Sequence, residues 1–183
     1  MLLLFAAGCM GGDAAAVDEA DLKQLVLQPE DLSRVFIRFD EGRQLRIDQP
    51  GGTLADVERF GRRGGWKARY RRPGSASTRG PLVVESKTDV FGDADGAEQE
   101  LAAEQSRLLE GLRLDEGAPE VGDESFVATG TQGTGRFEVR SYLVAWRWEN
   151  ATASVLANGF EGRFARAQAL ELARKQQARI EAS

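Results

Sequence analysis

The strongest limit on the fold lies in residues 136–157. The stretch up to Trp148 carries two apolar rows rather than one. Tyr142, Val144, Trp146 and Trp148 fall on one face of a strand, and Phe137, Val139, Leu143 and Ala145 on the other. A strand that is apolar on both faces has to be covered on both. Residues 151–157 form a second apolar run, and Glu149-Asn150 leaves room only for a tight turn, so the pair reads as a hairpin. One face of it is expected to carry the helices. The other is either covered by a loop or open as a groove lined by Tyr142, Trp146 and Trp148 with Arg147 beside it, which would suit an apolar or glycan ligand.

Covalent staples cannot help this chain fold. Among 183 residues there is one cysteine, Cys9, and no histidine. An intramolecular disulfide and a Cys/His zinc cluster are therefore excluded, as are the Ser-His-Asp and Cys-His arrangements, whose general base is missing. Stability has to come from a core. A single domain of about 165 residues hides roughly 70% of the surface its unfolded chain exposes, which suffices. The net charge of −5 argues against nucleic acid as a partner, because phosphate binding needs a concentrated positive face.

The remaining elements follow from local pattern. A short helix is expected around Leu22, Leu25 and Val26, and a turn at Pro29 with acids in its first positions. A strand is expected over 35–39, then a helix from Thr53 to Phe60 stopped by Gly64-Gly65. Over 66–72 strict alternation points Trp66, Ala68 and Tyr70 one way and Lys67, Arg69 and Arg71 the other. A strand over 82–91, a helix over 93–112, a short strand over 126–129 and a closing amphipathic helix over 164–180 complete the order. Mixed order with a hairpin and no regular βαβ repeat indicates one α+β domain. It would be a mainly antiparallel sheet with helices packed on one face and a long C-terminal helix.

The chain opens with an apolar run, Met1-Leu2-Leu3-Leu4-Phe5, that ends in small residues. Ala6-Ala7-Gly8-Cys9 resembles the bacterial lipobox, which implies lipid on the Cys9 sulfur and cleavage after Gly8. Residues 1–8 then read as a signal peptide truncated at its N-terminus, since the first basic residue is Lys23. Residues 9–18 read as a flexible tether and 19–183 as the domain. The run is too short to span a bilayer, so anchoring would be by acyl chains on the outer side of the membrane.

Four further features have the look of sites. Arg62, Arg63, Lys67, Arg69, Arg71 and Arg72 lie in one acid-free stretch. That stretch is either a face for anionic lipid or wall polymer, or a strand face paired with acids elsewhere. Asp93 and Asp95 fail the spacing of a calcium loop and read as helix-capping residues. Gly130-Thr131-Gln132-Gly133-Thr134-Gly135 lacks the Lys-Ser/Thr ending of a phosphate loop and reads as a connection. Asn150-Ala151-Thr152 has the form of a glycosylation sequon and reads as turn chemistry. Nothing here points to a metal, a cofactor or a catalytic residue.

The order of segments carries a resemblance. A strand ends at Val90-Phe91, and Asp93-Ala94-Asp95-Gly96-Ala97 turns into a helix. Val121-Gly122-Asp123-Glu124-Ser125, the hairpin at Glu149-Asn150 and an Ala/Arg-rich last helix follow. Over residues 80–180 this resembles the extracellular sensor-like domains of actinobacterial lipoproteins and of some membrane serine/threonine kinases. The resemblance implies sensing of an unknown small molecule or binding of a protein partner rather than catalysis, and supplies no site residues. A glycan hydrolase working by carboxylates alone, and a structural envelope protein, stand as the alternatives.

Overall fold

The computed structural model describes residues 16–44, 59–108 and 111–183. Cys9 and the segment expected to be helical from Thr53 lie outside them, apart from the end of that segment at residues 59–60. Seven strands form one sheet: β1 (Ile37–Arg43), β2 (Arg62–Arg71), β3 (Val83–Phe91), β4 (Arg113–Leu114), β5 (Glu124–Gln132), β6 (Val139–Trp148) and β7 (Ala151–Phe160). Their spatial order is β1-β2-β3-β7-β6-β5-β4, and every pairing is antiparallel. The helices are α1 (Ala94–Ser106) and α2 (Arg166–Glu181). No helix among the described residues is long and apolar enough to cross a membrane.

The expected hairpin is present as β6 and β7, with Trp148 opposite Ala151 across Glu149-Asn150. Glu149 takes a left-handed φ of 48° to close the turn. Asn150 is buried, and its side chain accepts from Val17 N–H at 2.7 Å and donates to the Phe91 carbonyl at 2.9 Å. It is a clasp between the hairpin, β3 and the N-terminal segment, inaccessible to a glycosylating enzyme.

The two helices lie on opposite faces of the sheet, which corrects the expectation of helices on one face. Leu101 of α1 packs with Phe126, Ala128, Leu143 and Ala145. Leu170, Leu172, Ala173 and Ile180 of α2 pack with Val144, Trp146, Ala153 and Val155. The two-sided strand β6 is the physical reason: each of its apolar rows takes one helix. The N-terminal segment joins the α2 side, where Leu22, Leu25, Val26 and Leu27 are buried. It is a 3-10 turn (Glu19–Asp21) and irregular chain rather than an α-helix.

A polar residue on the buried face of α2 fastens these layers. Gln176 accepts from the Ser86 hydroxyl at 2.7 Å and donates to the Lys87 carbonyl and the Thr88 hydroxyl, each at 2.9 Å. Ser86 also accepts from Leu27 N–H at 2.8 Å. Buried polar groups satisfied in this way fix one register of helix on strand. On the other face α1 starts at Asp93, whose carboxylate accepts from Gly96 N–H at 2.8 Å, the capping role read from sequence. It ends at Ser106, six residues earlier than expected, so among the described residues the helix stops short of part of the sheet.

Candidate functional site

Cross-strand register shows where cover stops on the α1 side. One row of facing residues runs Asp40, Arg69, Glu85, Leu156, Leu143 and Ala128. Leu143 and Ala128 of that row are buried with Leu101. The next row away from α1 runs Ile37, Arg71, Val83, Asn158, Ser141 and Gly130. Six strands at a spacing of about 4.8 Å make this row roughly 24 Å long. At its β5–β7 end it opens into a recess of about 500 Å³ lined by Gly111, Leu112, Gly130, Ser141, Leu156 and Asn158. Gly130 has to be glycine, because a Cβ there would stand 2.2 Å from the Gly111 carbonyl oxygen that walls the recess. The Asn158 Oδ1 is buried and has no hydrogen-bond partner among the described residues. A buried carbonyl oxygen without a donor is costly unless something supplies one.

The basic stretch divides. Arg62 is 6% exposed and its Nε donates to Asp89 Oδ1 at 2.8 Å, so it is no surface contact and that expectation is corrected. Lys67 and Arg69 both approach Asp40, at 3.7 and 3.5 Å, and Arg69 also pairs with Glu85 at 2.7 Å. Arg72 lies over the Phe36 ring, and its guanidinium donates to the carbonyls of Pro81 and Arg79. Arg63 and Arg71 are exposed and form no ion pair among the described residues. Arg71 is held over the Phe39 ring at 5.3 Å. Phe39 sits at a bulge in β1, and it and Ile37 are 43% and 61% exposed. Sequence pattern alone did not place this apolar edge beside the arginines.

The tryptophan groove is closed. Trp146 is fully buried beneath α2, and its indole N–H donates to Gln177 Oε1 at 2.6 Å. Tyr142 meets Phe164 edge-on at 5.3 Å. Arg147 points to the other face and pairs with Asp123 at 3.1 Å. Of the four, Trp148 lines a cleft of about 870 Å³ between the loop over residues 118–125 and Arg174, Ala178 and Glu181 of α2.

A buried ionic seam holds α1 to the sheet. Lys87 pairs with Asp89 at 3.0 Å, next to Arg62. Glu100 is 1% exposed and is bridged by Arg59 and by Arg107, the latter at 3.0 Å. Burial lowers the Lys87 pKa, but the carboxylates of Asp89, Glu104 and Glu100 together more than offset it and the ammonium is held charged. Glu104 faces the same seam. Burial raises its pKa above the usual 4.5 more than Lys87 lowers it. A carboxyl whose folded-state pKa is raised costs stability progressively as pH climbs from that usual value through the raised one. Glu104→Gln is therefore expected to raise the unfolding midpoint at pH 8 and to leave it unchanged at pH 4, as followed by circular dichroism.

No family model matches this chain, and no curated protein matches its sequence. A solved structure shares the fold: the extracellular domain of PknH from Mycobacterium tuberculosis, with a TM-score of 0.67 at 15% identity. The match covers 93% of this chain and 100% of that one, so the fold likeness extends well beyond residues 80–180, where the sequence resemblance was drawn.

Proposed function

We propose that the chain is a lipid-anchored extracytoplasmic module that binds a ligand on the uncovered part of its sheet and does no chemistry on it. The observation that carries the binding role is the open row that passes Asn158, whose buried carbonyl oxygen lacks a donor among the described residues. The extracytoplasmic address is supported by the fold it shares with the extracellular domain of a membrane kinase. It is supported also by the lipobox-like Ala6-Ala7-Gly8-Cys9. The acids beside the row, Asp40 and Glu85, are both tied to Arg69, a state that suits a structural pair better than a general acid.

Methyl resonances test the site. The full chain carrying Cys9→Ser is labelled at Ile, Leu and Val methyls and titrated with solubilised envelope fractions. Shifts at Ile37, Val83 and Leu156, with Leu172 and Val155 in the α2 core unmoved, are the expected outcome. Shifts absent from the three, or centred beside Trp148, would contradict it. For the anchor, Cys9→Ser is expected to move the protein from the membrane to the soluble fraction of cells, and unchanged membrane retention would count against lipidation.

A further inference from the structure

The open row makes specific demands on an occupant, and they narrow its chemistry. It crosses strands rather than following one, over about 24 Å, so it fits an extended molecule. Asn158 Oδ1 calls for a hydroxyl or N–H donor, and the Ser141 side chain lies in the facing position on β6. Val83 and Ile37 alternate with Arg71 and Asn158 along the row, giving small apolar patches between polar groups. Arg71 is exposed, unpaired among the described residues and stacked on Phe39, a preformed cation without a counter-ion. Flat rings with hydroxyl rims and periodic carboxylates meet all four demands.

Resting on the binding role above, we propose that this row docks an extended acidic glycan, with a uronate-type carboxylate at Arg71 and a sugar hydroxyl donating to Asn158. A membrane surface fits less well. Val17, where the N-terminal segment meets the Asn150 clasp, packs on the α2 side of the sheet. It lies at the end of β3 remote from Val83: Phe91 pairs with the clasp, and the eight residue steps from Val83 to Phe91 span about 27 Å. The described chain thus enters the domain from the opposite face and the opposite end of β3. A partner protein would bury Ile37 and Phe39 but gives no particular reason for a carbonyl oxygen left without a donor.

Calorimetry on the full chain with Cys9→Ser tests this, using a galacturonate hexamer, a neutral glucose hexamer of similar length, and vesicles containing 30% phosphatidylglycerol. The hexauronate is expected to bind and the neutral hexamer and the vesicles to bind at least tenfold more weakly. Arg71→Gln and Asn158→Leu are each expected to weaken hexauronate binding by about 10-fold or more, the loss of one charge-assisted or buried hydrogen bond. Arg174→Gln, on the other face, is the control and is expected to change nothing. Equal binding of the neutral sugar, stronger binding of vesicles, or indifference to Arg71→Gln and Asn158→Leu would overturn the glycan assignment. The methyl map separates the two levels. Envelope fractions that still shift Ile37 and Val83 while hexauronate does not would overturn the ligand class alone. If no fraction moves those methyls, the binding face itself is wrong.

Discussion

Arg62→Met is expected to cost about 3 kcal/mol of stability, while Arg63→Met costs less than about 0.5 kcal/mol. The two arginines are adjacent in a basic stretch and look alike in sequence. Strand geometry sends them to opposite faces. Arg62 is buried, with Nη2 2.6 Å from Asp89 and donating to the Gln44 carbonyl at 2.8 Å. Removing its guanidinium strands part of a buried carboxylate, which Lys87 alone then has to balance at 3.0 Å. Breaking a buried pair from one side is costly because the remaining charge stays desolvated. In a domain of this size the loss corresponds to a drop on the order of 10 °C in the unfolding midpoint. Thermal denaturation of the two variants checks it. Equal, small shifts would mean that the seam under α1 is solvated, and with it the surface reading of Arg62 would return.

Trp146→Ala is expected to cost about 3–5 kcal/mol, the usual range for deleting a buried aromatic ring. Two terms add. The ring leaves a cavity between β6 and α2, and Gln177 Oε1 loses the indole N–H it accepts at 2.6 Å. Trp148 is two residues on, on the same face of the same strand, but half-buried at the edge of a cleft. Trp148→Ala is expected to cost clearly less than Trp146→Ala. Urea unfolding followed by far-ultraviolet circular dichroism measures both. Similar losses at the two positions would show that α2 does not cover Trp146 as described.

Much of this architecture was legible in the residues. The hairpin turn, the alternation of β2 and the closing helix were all written in periodicities of 2 and 3.6, and all are present. The two apolar rows of β6 demanded cover on both faces. What periodicity lacks is long-range information: nothing local says that the second cover is a second helix. For the same reason the sequence leaves the face at Trp146 undecided between cover and groove, since an aromatic on a two-sided strand looks identical whether a helix lies over it or not. The end of α1 was overrun because Leu108 and Leu112 continue the apolar spacing of Leu101. Both still pack against the α1-side core, but from irregular chain after Arg107 caps the helix. Gln176 and Gln177 carried no signal at all, because a buried glutamine is recognisable only from the polar groups that face it. The open row, likewise, is a product of register across six strands. Its members lie between residues 37 and 158 and share no motif.

Absence of cysteine beyond position 9 makes one labelling measurement decisive. Ser141→Cys puts a thiol in the open row, and Lys175→Cys puts one on the outer face of α2. Maleimide labelling rates are compared between the purified full chain and the protein in intact cell envelopes, with Cys9 replaced by serine in the purified form. An occupied row predicts that the thiol at position 141 reacts readily when purified and is shielded in the envelope, while that at position 175 reacts equally in both. Equal reactivity of position 141 in the two settings would contradict the claim that this face of the sheet is where the protein binds.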